Sequence, residues 1–349
     1  MKIVSKKENL ELFTASWTAY TKNNLVGPYA LKGMMEYYLI TNKEMLVSDE
    51  SFVILAESYD KTCVAICFFP IYQQEQMKYC HAVAPLAAKE KYLKICFEFI
   101  ESIANAEFLD KIEFYVDTCY SQYGQWRYNY LRSYGYIDCT TTNYIFYLQD
   151  KPANLFQKFN MSSRNILRKF TKEGLCETYI YDHMSITRNI FDNYKYQHTI
   201  CAGQQVRSDS SFNCMFNLIC QKQAILLELN YKGKAIGYLL VTLSYPFATL
   251  SSIANLPDYE QEVPIYRILY WKAIEYCADY TVMVYGFPAG TKSVDGFKSY
   301  MSSEQLHIAR YKQYMGAVAV PHFQGVRYFN DSLLEKEVKT FLEQIKNDN

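Results

Sequence analysis

Long apolar runs are missing from this sequence. No stretch approaches the ~20 apolar residues that a membrane-spanning helix needs. The N-terminal segment also lacks a basic region followed by an apolar stretch and a small-residue cleavage site. We therefore expect a cytoplasmic protein without a membrane span.

A net charge is missing too. The chain has 36 Lys and Arg residues against 36 Asp and Glu residues. The field of the whole molecule therefore gives no reason to expect a general binder of nucleic acid or membrane surfaces. Any anionic ligand has to be held by a local cluster of cations.

Paired cysteine motifs are absent as well. The eleven cysteines include no Cys-x-x-Cys pair and no zinc-type spacing with histidine. A Gly-x-Ser-x-Gly nucleophile turn is also lacking. We expect reduced core cysteines, no metal site and no nucleophilic side chain.

What the sequence does contain is a long-period repeat. FVILAESYDKTCVAICFFPI, from Phe52, and AILLELNYKGKAIGYLLVTL, from Ala224, both read as β-hairpins with polar turns, and Val53 and Ile225 occupy matching places 172 positions apart. Each hairpin is followed later by an amphipathic helix and a strand, KYLKICFEFIESIANAE with KIEFYVD and PIYRILYWKAIEYCADY with TVMVYGF. Any two α/β halves share such elements, but here the order, spacing and turn positions all agree.

The repeat predicts two α/β domains, each a mixed sheet flanked by helices, related by internal duplication. A chain of 349 residues also exceeds the usual size of a single core. The polar, proline-bearing segment LQDKPA gives the boundary. We therefore predict domains at 1–150 and 151–349.

Several stretches resemble the FemABX family. TTNYIFYLQDKPANLFQKFNMSSRNILRKFTKEG is similar to the segment in which a strand closes the first domain of that family and a basic helix opens the second. YGFPAGTKSVDGFKSYMSS, from Tyr285, resembles its late strand, glycine-bearing loop and Phe-Lys helix start, and CHAVAPLA and VGPY are less specific matches. The resemblance implies tandem GNAT-type domains that transfer an acyl group to an amine.

The sequence departs from that family pattern in two places. The GNAT phosphate loop, Arg/Gln-x-x-Gly-x-Gly/Ala, is absent from both halves. The heptad-patterned helical arm of some tRNA-using members is absent too. The missing phosphate loop supports an alternative in which the protein binds a ligand on this fold without catalysis.

Two places are candidates for holding the phosphates of a carrier. The first, the cationic stripe, consists of Arg164, Arg168, Lys169 and Lys172 on one predicted helix. The second is the start of the helix near Pro264, which carries Arg267. Each has an ordinary alternative, a solvated charged face for the stripe and a capped amphipathic helix for the second place.

Amine acylation also needs a group that accepts the amine proton. The candidates are His198, Glu228, Asp295 and Tyr266, and the sequence does not separate them. Lys298 matches the Phe-Lys pattern of the family, and the resemblance implies that it lies near the transferred group or the acceptor phosphates.

The combined prediction is an N-acyltransferase whose second domain carries the chemistry and whose first domain helps to form the acceptor groove. The acyl group moves from a thioester donor, with acyl-CoA as co-substrate, to an amino group of a sugar nucleotide or another cell-envelope precursor. The alternative donor is aminoacyl-tRNA with a peptidoglycan precursor as acceptor, and the balanced charge places it second. The sequence does not predict an oligomeric state.

Overall fold

The computed structural model describes residues 1–57, 61–118, 128–150, 152–172, 174–284 and 303–347. These residues form two compact units. The first contains the described residues of 1–142 and 321–347, and the second those of 143–284 and 303–320.

Helices and strands are distributed over all the described segments of the chain. The first part contains β1 (Lys2–Ser5), α1 (Leu10–Asn23), α2 (Lys32–Thr41), β2 (Leu46–Asp49), β3 (Phe52–Leu55), β4 (Cys63–Cys67), β5 (Pro70–Gln74), β6 (Met77–Val83), β7 (Leu86–Ala87), α3 (Glu90–Ala106), β8 (Lys111–Tyr115), β9 (Ile137–Asp138) and β10 (Thr141–Tyr147). The second part contains α4 (Pro152–Gln157), α5 (Met161–Lys172), β11 (Cys176–Tyr181), α6 (Arg188–Cys201), α7 (Asp209–Cys220), β12 (Ala224–Tyr231), β13 (Lys234–Ser244), β14 (Phe247–Asn255), α8 (Ile265–Tyr276), β15 (Val282–Val284), α9 (Ser303–Tyr314), β16 (Val318–His322), β17 (Gln324–Tyr328) and α10 (Asp331–Asn347).

The strands form three sheets among the described residues. The first unit has a four-stranded sheet in the order β1-β3-β4-β7 and a six-stranded sheet in the order β2-β5-β6-β8-β17-β9. The other sheet has seven strands in the order β11-β12-β13-β14-β15-β10-β16. The predicted mixed α/β class is thus confirmed.

The two halves share the pairing that the repeat predicts. Strands β3 and β4 form an antiparallel hairpin, and so do β12 and β13. Further along, β6 and β8 are parallel across α3, and β14 and β15 are parallel across α8. Parallel neighbours need a crossover connection, so each half contains one hairpin and one strand-helix-strand unit in the same order.

The boundary between the units differs from the sequence prediction. Strands β9 and β10 follow each other, but β9 lies in the six-stranded sheet and β10 pairs with β15 in the seven-stranded sheet. At the other end of the chain, β17 pairs antiparallel with β8 and β9 of the first unit. The boundary therefore falls between Thr142 and Asn143, and the last strand and helix return to the first unit. LQDKPA is a polar connection, but it lies after a strand that already belongs to the second sheet.

The two faces of β12 differ in chemistry, as its alternating pattern predicts. Ile225, Leu227 and Leu229 join the apolar core that also contains Leu269 and Trp271 of α8. Glu228 points to the opposite face, because neighbouring side chains on a strand alternate between faces. Helix α6 packs against β13 and β14 and contributes the buried side chains of Tyr194 and His198.

Candidate functional site

A polar cluster lies where α6 packs on the seven-stranded sheet, and we call it the Glu228 cluster. Its members come from β11, β12, β13, β14, α6 and the loop after α6. They are Tyr181, Tyr194, His198, Arg207, Glu228, Tyr238 and Ser252.

Glu228 is held by two tyrosine hydroxyls. The carboxylate is 8% exposed, and its Oε2 accepts from Tyr238 Oη at 2.9 Å and from Tyr181 Oη at 3.4 Å. Burial, together with the negative charge of Glu228, raises the pKa of Tyr181 to about 12. Burial also raises the pKa of Tyr238. Both hydroxyls therefore remain protonated donors at neutral pH.

His198 has a different environment. Its side chain is 8% exposed, and Arg207 Nη1 donates to its Nε2. Burial, together with the positive charge of Arg207, lowers the pKa of His198 to about 4. The imidazole is therefore neutral at physiological pH, and its acceptor nitrogen is already occupied.

Ser252 connects the remaining members of the cluster. Its Oγ accepts from Tyr194 Oη at 2.8 Å and from Arg207 Nη1 at 3.1 Å. The Tyr194 ring lies 6.0 Å from the His198 ring and 6.1 Å from the Tyr238 ring, edge-to-face in both cases. Two of the predicted proton acceptors, His198 and Glu228, thus lie on one face of the sheet with Tyr194 between them.

Tyr266 belongs to a separate group at the end of β14. Its hydroxyl donates to Asn255 Oδ1 at 2.8 Å, and Cys201 Sγ donates to the same oxygen at 3.3 Å. Asn255 Nδ2 donates to Glu260 at 2.7 Å. Burial raises the pKa of the Tyr266 hydroxyl, so it is a structural donor at neutral pH in this arrangement.

The cationic stripe lies on α5, which packs against α8. Both helices contribute to the core on the Leu227 side of the sheet, so the stripe and Glu228 are on opposite faces. Arg168 and Lys169 are exposed, and the guanidinium of Arg168 stands 5.4 Å from the centre of the Phe156 ring. Arg164 is half-buried and donates from Nη1 to Gln157.

None of these three cations has a carboxylate partner within the described part of the chain. The Nε of Arg164 is buried and lacks a hydrogen-bond acceptor there. Lys172 ends α5, and its side chain lies outside the described residues. Arg267, in the first turn of α8, stands 5.8 Å from the centre of the Tyr311 ring.

Two further predicted residues, Asp295 and Lys298, lie outside the described residues. The prediction that Lys298 holds the transferred group or the acceptor phosphates stays a prediction. Among the described side chains, no group of three or more His, Cys, Asp or Glu is arranged to hold a metal ion. None of the described helices combines the length and apolar character needed to cross a membrane.

The first unit contains a buried carboxylate that the sequence analysis did not select. Asp117 follows β8 and is 2% exposed. A Cβ atom on Gly27 would stand 2.1 Å from Asp117 Oδ2, so only glycine fits beside it. Nearby in the chain, Thr118 Oγ1 and His322 Nδ1 are 2.8 Å apart. The sequence signal was an aspartate two positions after the strand KIEFY, together with the glycine of VGPY.

Comparison with known proteins gives no match to a family model and none to a curated sequence. Solved structures do match. FemX aligns over 96% of this chain and 99% of its own, with a TM-score of 0.66 at 10% identity. L-PGS from Bacillus licheniformis aligns over 93% and 99%, with a TM-score of 0.55 at 12% identity.

A tandem GNAT protein from the clavulanic acid biosynthesis pathway aligns over 94% of this chain and 98% of its own, with a TM-score of 0.50 at 10% identity. All three matches extend over nearly the full length of both chains. The chain therefore has the FemX-like, tandem GNAT fold that its sequence motifs predict.

Proposed function

We propose that the protein is an N-acyltransferase that moves an acyl group from a thioester donor, acyl-CoA in the first instance, to an amino group. The observation that carries the proposal is the buried Glu228 on one face of the seven-stranded sheet, whose carboxylate accepts from the hydroxyls of Tyr238 and Tyr181. The fold similarity to a tandem GNAT protein, whose structure was solved without AcCoA, supports the same donor class.

The reaction needs one bond to form and one to break. The amine nitrogen attacks the thioester carbonyl carbon, the carbon-sulfur bond breaks, and the carrier leaves as a thiolate. One amine proton passes to a base and from there to the thiolate sulfur, so that the products are an amide and a thiol. Glu228 fits the role of the base better than His198, because Arg207 already occupies the acceptor nitrogen of His198. Tyr181 Oη lies 3.4 Å from the Glu228 carboxylate and could relay that proton. Asp295 remains a further candidate.

The carrier phosphates are assigned to the cationic stripe. Arg168 and Lys169 are exposed, and Arg164 Nε lacks an acceptor within the described residues. Guanidinium groups bind phosphate through paired hydrogen bonds. The stripe and Glu228 lie on opposite faces of the sheet, so this assignment concerns carrier binding and not the reacting atoms. Lys298 and Arg267 remain additional candidates for phosphate contacts.

The acceptor is proposed to be a sugar nucleotide or another cell-envelope precursor that carries an amine. In this proposal the second domain carries the chemistry and the first helps to form the acceptor groove.

A second candidate keeps the fold and changes the donor to aminoacyl-tRNA. The similarity to FemX favours it, as do the exposed cations of the stripe, which would serve phosphates of either carrier. Binding to tRNA would weaken steeply with salt, since each neutralised phosphate releases counterions.

The test is thermal unfolding of the purified protein with coenzyme A, acetyl-CoA or bulk tRNA, each at low and moderate salt. Specific binding raises the melting temperature as ligand concentration exceeds the dissociation constant. A salt-tolerant shift with a CoA species supports the first donor, and a shift with tRNA alone that salt abolishes supports the second. If neither donor class shifts the transition, the transferase proposal is wrong and a ligand-binding role on the same fold takes its place.

The stripe has its own control in the same experiment. Arg164→Ala with Arg168→Ala should reduce the shift caused by the carrier. Lys94→Ala, an exposed cation on α3 of the first unit, should leave it unchanged. Equal shifts in both variants would make the stripe an ordinary solvated face.

A further inference from the structure

The first unit has an open groove of about 690 Å³ between the β5–β6 turn and α10. One wall is the turn, from Gln74 to Met77, and the other is the face of α10 that carries Leu333, Thr340 and Phe341. Ligand sites commonly have volumes of about 300 to 1,000 Å³. The groove is therefore large enough for a small organic ligand.

Its lining is amide-rich and close to neutral. Gln74, Gln76 and Gln344 contribute three side-chain amides, and Thr340 adds a hydroxyl. Of the charged groups, Glu75 and Lys336 have opposite signs. The third charged residue, Glu337, already forms hydrogen bonds within the unit.

Glu337 is held by the unit itself. Its carboxylate accepts from Lys111 Nζ at 2.9 Å and from Tyr328 Oη. These bonds fix α10 against β8 and β17, so the helical wall of the groove is anchored. The polar groups that remain for a ligand are uncharged donors and acceptors together with one carboxylate and one ammonium group.

Glu75, in the β5–β6 turn, has an unusual backbone conformation for a residue other than glycine. Glu75 has φ of 55°, a left-handed conformation that glycine adopts at lower cost. Gln73 Nε2 donates to the Glu75 carbonyl oxygen at 3.0 Å, which holds the turn in that shape. The glutamate at this position places a carboxylate in the lining of the groove, where glycine would leave none.

We propose that this groove binds a neutral saccharide of roughly one to two rings. Planar amides and a carboxylate pair with adjacent hydroxyl groups, since each offers two polar atoms in one plane. The ring of Phe341 offers an apolar surface for the carbon face of the sugar. The opposite charges of Glu75 and Lys336 disfavour a strongly anionic ligand. This inference concerns the first unit and does not depend on the proposed transfer reaction.

The test is isothermal titration of the full chain with N,N'-diacetylchitobiose, cellobiose and maltose, each to its solubility limit, with a Gln- and Ala-containing tripeptide as the peptide probe. We expect saturable binding of at least one saccharide. Phe341→Ala and Glu75→Gly should each weaken that binding at least fivefold. Glu75→Gly should at the same time raise the melting temperature, because glycine adopts the left-handed backbone conformation at a lower energetic cost.

Lys232→Gly is the matched control. Lys232 has φ of 50° in the β12–β13 turn, so glycine should raise the melting temperature there as well without changing saccharide binding. The proposal is overturned if no saccharide binds, if only the peptide binds, or if both groove variants bind the sugar as the unaltered chain does.

Discussion

Burial changes what a histidine can do, and His198 illustrates this. Its pKa is lowered to about 4 from the 6.5 of an exposed histidine, so between these values the unfolded chain binds a proton that the folded protein excludes. The stability contributed by this residue is complete above about pH 6.5 and is lost as the pH falls towards 4. A pKa shift of this size corresponds to a change in the free energy of unfolding on the order of 3 kcal/mol.

We therefore expect the free energy of unfolding to fall between pH 7 and pH 5, and to fall less in His198→Gln. Urea unfolding at several pH values measures this. An unchanged slope in His198→Gln would contradict the assignment.

Substitutions of Glu228 and of His198 are expected to have different effects on activity. Glu228→Gln keeps an oxygen that accepts from both tyrosines but cannot take a proton, so we expect a loss of about 10²- to 10⁴-fold in kcat. His198→Gln should change kcat by only a few-fold, because the imidazole serves as an acceptor for Arg207. The measurement is the transfer rate with whichever donor shifts the unfolding transition, and comparable losses in both variants would contradict it.

Residue positions on a strand were predictable, whereas partners brought by the fold were not. Alternation in ILLELN placed Glu228 on the face opposite Leu227 and Leu229, and it does accept from Tyr238 there. Arg207 comes from the loop after α6 and folds back onto His198, and no local pattern encodes that contact. The pKa of His198 therefore could not be read from its sequence neighbours.

At the scale of elements, the contact of β13 with α8 depends on a glycine. A Cβ atom on Gly237 would stand 2.5 Å from Ile265 Cγ2. We expect Gly237→Ala to destabilise the protein by about 1 to 3 kcal/mol through overpacking. Urea unfolding of Gly237→Ala, Ile265→Ala and the double variant tests this.

Ile265→Ala alone should also be destabilising because it leaves a cavity in the apolar core. The double variant should lose clearly less stability than the sum of the two single variants, since the new methyl group occupies the vacated space. Additive losses would show that α8 shifts away from the strand instead.

Hairpins and crossover helices could be predicted because their signals are local. Polar turns between apolar runs gave β3–β4 and β12–β13, and helical periodicity gave α3 and α8. The sheet to which β10 and β17 belong could not be predicted, because pairing with β15 and β8 depends on hydrogen bonds across long sequence separations.

At the scale of the whole molecule, the domain boundary leads to a truncation prediction. A break between residues 150 and 151 puts β10 in one fragment and its partner β15 in the other. It separates β17 from its partner β8 in the same way. We expect fragments 1–150 and 151–349 each to be poorly folded alone and to recover cooperative unfolding when co-expressed. Thermal unfolding by circular dichroism measures both.

A matched chimera provides the control. Cys139 N donates to Gln324 O at 3.0 Å, so a short flexible linker can join residues 1–142 to 321–349. This chimera should unfold cooperatively where fragment 1–150 does not. If fragment 1–150 folds equally well, β17 is dispensable for the first unit.

The position of β17 also bears on how the protein is made. Its partner β8 is synthesised early, but β17 follows about 200 positions later, after the residues of the second unit. Until then the side of β8 that β17 later covers presents unpaired backbone groups, an edge prone to pairing with other chains. The order of synthesis thus delays completion of the first unit until the second has been translated, and the nascent chain has to be kept from aggregation for that interval.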